Sequence, residues 1–160
     1  MIDLKQYHAL IPTPFATLGL KTRNQTLQEL DFIFEELSSP MYQNEFTEYV
    51  GDEVQQYLAD ARHPLSLNLT LNGTKFQRSV WRQMQLIPSG ECLSYSDVAL
   101  KLKSGARAVG NACRRNPIPL IVPCHRIIAK NGLGGFAGDR TGELVEVKRW
   151  LLNHESCSIN

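Results

Sequence analysis

Apolar residues recur along this chain with two periods, and each period forecasts a different element. From Pro64 to Asn72, Leu65, Leu67, Leu69 and Leu71 alternate strictly with their neighbours, the period-two pattern of a half-buried strand. Just before it, Val54, Tyr57, Leu58 and Ala61 fall at helical spacing within Asp52 to Ala61, while Thr26 to Leu37 fits either a strand or a helix. A turn dipeptide, Asn72-Gly73, then precedes Thr74-Lys75-Phe76-Gln77, a capping box in which Thr74 caps and Gln77 reaches back. The helix that begins there carries Phe76, Val80, Trp81 and Met84 on one stripe and stops at Pro88-Ser89-Gly90.

A second capping pattern, Ser94-Tyr95-Ser96-Asp97, opens a short helix with Val98, Leu100 and Leu102 that ends near Ser104-Gly105. A third helix is expected from Ala106 to Arg115. Ala108, Val109, Ala112 and Cys113 fall on its inner side, and Arg107, Gly110, Asn111 and Arg114 on the other. Two short helices joined by a tight glycine-containing turn, the second with outward arginines beside small residues, have the layout of a helix-turn-helix reader of nucleic acid. Ordinary helical hairpins share that layout.

After Asn116-Pro117, the segment Ile118 to Pro123 is the longest apolar run and is expected to be a buried strand that delivers Cys124 at its tip. It is far short of the ~20 residues that span a bilayer. Asp3, Lys5, Gln6 and His8 stand where a signal peptide would have its apolar stretch, so neither membrane insertion nor secretion is expected.

At 160 residues, 42% hydrophobic and 21% charged, the composition fits a globular protein with one sizeable core or two small ones. The net charge of +1 hides an asymmetry: Met1 to Asn72 holds four basic and ten acidic residues, whereas Gly73 to Asn160 holds thirteen basic and six acidic. Lys101, Lys103, Arg107, Arg114, Arg115, Arg126 and Lys130 follow Val98 with no acid among them. That balance suits a polyanion-binding module joined to an acidic partner domain, or simply a solvated basic face.

Cys92, Cys113, Cys124 and Cys157 show no CxxC spacing, so reduced thiols in a cytosolic setting are expected, with Cys92, Cys113 and Cys157 as small core residues; the even count of four leaves a disulfide framework open as the alternative. Cys124 differs because His125 and Arg126 follow it; nearby cations lower a thiol pKa from ~8.5 and favour the reactive thiolate. Residue pattern alone leaves a reactive and a structural role open. Adjacent residues of an extended chain point to opposite sides, so Cys124 and His125 need a turn or a bridging water to communicate.

The second half resembles the O6-alkylguanine-DNA alkyltransferases, also called methylated-DNA-protein-cysteine methyltransferases. The resemblance lies in Gly73-Thr74-Lys75-Phe76-Gln77, Ser94-Tyr95-Ser96, Ala106-Arg107-Ala108-Val109-Gly110, Arg115-Asn116-Pro117, Pro123-Cys124-His125-Arg126-Ile127, Gly135-Phe136-Ala137-Gly138 and Leu151-Leu152-Asn153-His154-Glu155. It covers about half the chain; the first half is similar only in size and position. It implies an α/β fold class: a small mixed α/β domain over 1–72, ribonuclease H-like and structural, followed by a mainly helical winged helix-turn-helix domain over 73–160.

By the same resemblance, Cys124 takes an alkyl group from O6 of guanine, or from O4 of thymine, once per molecule. His125 generates the thiolate through a water, Glu155 polarises His125, Asn116 holds the turn, and Tyr95 donates a proton toward guanine N3. Arg107, Ala106, Ala108, Gly110, Ser96, Arg114 and Lys130 would meet the minor groove of double-stranded DNA, with Arg107 filling the gap left by a flipped nucleotide. Ile127, Phe136 and Ala137 would line the lesion pocket, and carbonyls near Cys124 and Ile127 would read the exocyclic amine. No cofactor and no metal are expected, and the first half lacks the cysteines of the zinc site found in some relatives. The protein would be a cytoplasmic monomer.

The physics of each role is consistent. O6 is buried in a duplex, so in-line displacement at its methyl carbon needs the base extruded, at a few kcal/mol. Small residues admit a helix to a narrow groove, and exposed lysines and arginines attract phosphate without regard to sequence. Methylation of sulfur makes a thioether that nothing in the motif can hydrolyse. Departures from the family pattern are a shorter turn between Leu102 and Ala106, Asp139 in place of a glycine, Phe136 in place of tyrosine, and a longer link from Arg140 to Val147. The alternatives are a non-catalytic alkyltransferase-like lesion binder, a winged-helix regulator, and a Cys-His hydrolase, which would need a directly paired imidazole and an oxyanion hole. Alkyl transfer requires the Cys124 sulfur to sit in a cavity on the arginine-bearing surface.

Overall fold

A computed structural model describes residues 2–139 and 141–157 and divides the chain into two units, Met1–Leu71 and Asn72–Asn160. The first unit is built on an antiparallel sheet in the order β3-β2-β1-β4, with β1 Ala9–Pro12, β2 Thr17–Arg23, β3 Thr26–Ile33 and β4 Met41–Tyr42. Of Thr26 to Leu37, the part Thr26–Ile33 thus resolves as strand and the rest lies beyond its end. Leu27, Leu30 and Ile33 of β3 are buried, and a register shift at Lys21/Thr22 accommodates the spacing of three between Leu27 and Leu30. Helix α1, Glu45–Ala59, buries Val50, Gly51, Val54 and Tyr57. It starts seven residues before the expected Asp52, because Asn44 and Thr47 form a reciprocal cap ahead of the apolar stripe. Ala61 lies beyond its end.

The leucine alternation from Pro64 to Asn72 produces no strand. Its leucines are half-buried and their neighbours mostly exposed, but only Leu69 forms a bridge, to Leu27, flanked by Leu27 N–H to Asn68 O (2.9 Å) and Thr70 N–H to Leu27 O (3.0 Å). A period-two pattern reports one-sided burial; a ladder also needs a continuous partner edge, which here lasts one residue.

In the second unit, α2 (Lys75–Gln85) begins with the expected Thr74/Gln77 capping box and buries Val80, Trp81 and Met84, each contributing on the order of 1.5–3 kcal/mol. β5 (Leu93–Ser94) leads into α3 (Tyr95–Leu102), whose Ser94/Asp97 capping box is also as expected. A left-handed Lys103 at φ 53° closes α3, and α4 (Ala106–Arg114) follows across the short turn. Trp81 Nε1–H donates to Ala112 O at 2.9 Å and ties α2 to α4. α4 buries Val109, Ala112 and Cys113, as its wheel foretold, whereas on α3 Val98 and Ala99 are buried and Leu100 is 79% exposed. β6 (Ile127–Ile128) pairs in parallel with β5, and α5 (Glu143–His154) completes the unit. Arg140 lies outside the described residues.

Ile118 to Pro123 is buried but is not the expected strand. Val122 N–H returns to Ile118 O at 2.9 Å around a left-handed Leu120 at φ 78°, folding the run into a tight turn. Pro117, Pro119 and Pro123 supply no ladder donors, so this apolar run cannot sustain pairing.

Candidate active site

Cys124 opens a single 3₁₀ turn, Cys124–Arg126, directly before β6. Asn116 holds that turn from beneath: its Nδ2 donates to Val122 O at 2.8 Å, and its Oδ1 accepts from Ile118 N–H at 3.0 Å. The Asn116 side chain also favours the Cys124 thiolate. The turn supplies the change of direction that adjacent strand residues lack, yet His125 makes no direct hydrogen bond to Cys124.

His125 is fully buried and points to Glu155, with Nε2 2.9 Å from Oε2. Arg126 grips the same carboxylate through Nε to Oε1 and Nη2 to Oε2, both 2.9 Å, and places Nη1 2.6 Å from Ile87 O. These hydrogen bonds and charges, from His125 and Arg126, outweigh burial and hold the Glu155 carboxyl well below the usual range, so it is ionised. A carboxylate only accepts, so Nε2 carries the proton of a neutral imidazole, whose pKa burial has lowered. His125 Nδ1 is left buried without a protein partner, as an acceptor.

Lys148, on α5, is fully buried as well. Its Nζ donates to Ile127 O (2.7 Å) and Gly135 O (2.9 Å), and burial brings its pKa down to about 8, opposed by the nearby Cys124 and Cys113 thiols. It was missed in the sequence, although the signal was there: a lysine on the apolar stripe of Val145, Leu151 and Leu152.

Burial pushes the Cys124 thiol up to about 11, against the lowering effects of Asn116 and Lys148. The expected resting thiolate, promoted by His125 and Arg126, is therefore not present. His125 is neutral and Arg126 is committed to Glu155, so desolvation prevails. Cys113 is raised further by the same cause.

Cys124 is 5% exposed but not sealed off. It lines a cavity of about 900 Å³ together with Tyr95, Ala106, Arg107, Gly110 and Arg114, with Phe136 and Ala137 also on its wall. A side chain at Gly110 would meet nothing within 4 Å, so folding does not require glycine there and the helix surface is left bare at a cost of about 1 kcal/mol against alanine. Gly134, at φ 76°, does need to be glycine, because a Cβ would press on Ala129 N and the Tyr95 ring.

Other expected residues lie elsewhere. Ile127 is buried outside the cavity with its carbonyl taken by Lys148, which corrects its assignment to the pocket lining. Ala108 faces a separate cleft with Thr74, Gln77 and Arg115, because it lies a third of a turn from Arg107. Ser96 and Lys130 lie off the cavity wall, with Lys130 exposed near Asp97. Asp139 lies on the cavity wall, and Leu133 and Arg149 line it as well, which the sequence did not lead us to expect. Cys92 and Cys157 are not reduced core thiols: they form a disulfide with Cα atoms 6.8 Å apart. Sequence spacing could not reveal a partner 65 residues away.

A helix-turn-helix whose Arg107 and Arg114 line a cavity together with a buried thiol, which is followed in the chain by the His125 and Arg126 that hold Glu155, defines a cysteine site on a basic face. Residues 75–157 match the family model described as the DNA binding domain of 6-O-methylguanine DNA methyltransferase. The constitutive methylated-DNA–protein-cysteine methyltransferase of Bacillus subtilis is 46% identical over 109 residues, 66% of this chain and 64% of its own length. The chain thus spans less than two thirds of that relative, and 58% of a probable mimivirus one. The methylated-DNA–protein-cysteine methyltransferase of Methanosarcina acetivorans is 33% identical over 94% of this chain and 99% of its own. The Mycobacterium tuberculosis OGT solved in complex with DNA superposes with a TM-score of 0.74 at 33% identity, covering 92% of each chain. The chain belongs to the 6-O-methylguanine DNA methyltransferase family.

Proposed function

We propose that the protein reverses DNA alkylation directly, moving a methyl or larger alkyl group from O6 of a flipped-out guanine to Cys124 Sγ, once per molecule. The observation that carries this is the Cys124 thiol on the wall of a cavity that the arginine-bearing, small-residue face of α4 also lines. The partner is double-stranded DNA approached through the minor groove. Arg107 would occupy the vacated stack, with Ala106 and Gly110 allowing close approach and Arg114 and Lys130 attracting phosphate. The first unit is structural, the second is the winged helix-turn-helix, and the protein acts as a cytoplasmic monomer.

The resting thiol is neutral, so the proton leaves as the reaction starts. It passes from Cys124 through a water to His125 Nδ1, and the imidazolium that forms is stabilised by Glu155, itself held ionised by Arg126. Sulfur then forms its bond to the alkyl carbon as the carbon–O6 bond breaks. The electron pair goes to the guanine, and Tyr95 supplies a proton toward N3. Lys148 keeps a buried positive charge near the sulfur through this step. A Cys-His hydrolase is disfavoured because His125 Nδ1 makes no direct bond to Cys124.

The test is to incubate the protein with duplex DNA carrying O6-methylguanine and weigh it intact. One methyl gained per molecule, and none in Cys124→Ala, supports the proposal. An unmodified mass with retained DNA binding would point instead to a lesion binder or regulator.

A further inference from the structure

We propose that Cys92 and Cys157 are a redox-reactive dithiol site whose oxidation fastens the Glu155 end of α5 to the segment leading into Tyr95; its effect on rate rests on the alkyl-transfer function above. Glu155 is the last residue of α5's closing turn, where helices fray most readily. Beyond it, Ser156 N–H returns to Asn153 O at 3.1 Å and Cys157 N–H to Leu152 O at 2.9 Å, a Schellman closure. Its left-handed position, where glycine is usual, is taken by Ser156 at φ 58°, so the closure costs more than usual and gains from a tether.

Cys157 is that tether. Its partner Cys92 sits one residue before β5, which pairs with β6 immediately after the Cys124–Arg126 turn. Arg126 Nη1 already reaches Ile87 O in the loop before Cys92, and a Cβ at Gly90 of that loop would lie 3.2 Å from Glu155 O. The bond therefore closes a ring around the carboxylate that orients His125, and it joins the two segments that carry Tyr95 and Glu155.

The chemistry balances as thiol–disulfide exchange with a small external disulfide of the glutathione class. The two protein thiols are oxidised to one disulfide while the external disulfide is reduced to two thiols, which receive the protons. Cys92 and Cys157 are half-buried, whereas Cys113 and Cys124 are buried with raised pKa values, so exchange selects the first pair.

The full chain, prepared once with dithiothreitol and once with oxidised glutathione, tests this by three readouts. Thiol counting by iodoacetamide and mass should show two fewer thiols after oxidation, both from the Cys92–Cys157 peptides. Amide exchange over residues 152–157 should slow by about tenfold or more on oxidation, with Tm rising by roughly 10 °C. Transfer from free O6-benzylguanine should be several-fold faster in the oxidised form, a difference that vanishes in Glu155→Gln and in the Cys92→Ser, Cys157→Ser double variant. Equal exchange and equal rates in the two forms, or oxidation elsewhere than at this pair, would overturn the site. Protection that changes with redox state while Cys124 gains no benzyl group in either form would instead sink the alkyl-transfer function and leave the tether standing.

Discussion

The two units bury different kinds of residue. Ala9, Ile11, Leu18, Leu20, Leu27, Leu30, Ile33, Val50, Val54 and Tyr57 fill the first, and its buried polar residues, among the described ones, are two threonines, Thr17 and Thr47. Thr17 donates to Glu35 O, and Thr47 serves the cap of α1, so both are spent on local structure. The second unit buries His125, Lys148 and Glu155. Burying ionisable groups is costly even when they are paired, and a well-packed apolar substitute is often no less stable. Where a small core carries three such groups around one thiol, chemistry rather than stability accounts for them.

Four substitutions put this contrast at risk, ranked by their effect on alkyl transfer. Glu155→Gln should slow transfer by about 10²-fold or more, since His125 loses the charge that stabilises its imidazolium, while DNA affinity stays nearly unchanged. A large loss of affinity in a binding titration would make Glu155 structural, like Thr47. The same variant should alter acid stability. In the folded wild type the Glu155 pKa is held below its ordinary 4.5 and the His125 pKa below its ordinary 6.5. The unfolded chain therefore binds more protons below those values, and stability falls as pH drops, first through the histidine and then through the carboxylate. Denaturant melts from pH 7 to 3 should show the lower step gone in Glu155→Gln.

Arg107→Ala should cut repair of duplex DNA by tenfold or more and leave reaction with free O6-benzylguanine unchanged, because only the duplex reaction needs a base extruded. Equal losses in both assays would refute the gap-filling role. Lys148→Met should slow transfer about tenfold, as expected if removing the cation lifts the Cys124 pKa by about a unit. It should also abolish a stability increment. With Lys148 at about 8 in the fold and 10.5 unfolded, the unfolded chain holds the extra proton between those values, so this group's contribution rises with pH across that window. Unfolding titrations of both proteins from pH 7.5 to 10.5 measure the difference. Leu30→Ala, in the first unit, should cost about 2–5 kcal/mol of stability yet leave the transfer rate per folded molecule unchanged. A changed rate would give the first unit a part in the chemistry.

Local signals in the chain were enough for much of this. The capping boxes at Thr74 and Ser94 start α2 and α3 because they satisfy the first orphan amides of a helix with side chains only three residues away. The α4 wheel predicted which face is buried because helical period and burial are coupled within one element. The motif around Cys124 identified the family and, with it, candidates for the site.

Three features depended on residues far apart in sequence. The charge state of Cys124 follows from burial, opposed by Asn116 and by Lys148 on α5, and not from the cations beside it in the chain, since Arg126 and His125 turn to Glu155. The Pro64 to Asn72 alternation lacked a partner edge beyond one bridge, and prolines interrupt the donors of the Ile118 to Pro123 run, so neither apolar pattern became a strand. The Cys92–Cys157 bond depends on where α5 ends relative to β5. By itself, then, the sequence determined the starts of α2 and α3, the inner face of α4 and which cysteine is the candidate for chemistry, because these rest on contacts within a few residues. Ionisation, pairing partners and the cross-link were decided by tertiary structure, because Coulomb interactions, desolvation and sulfur proximity depend on distance in space.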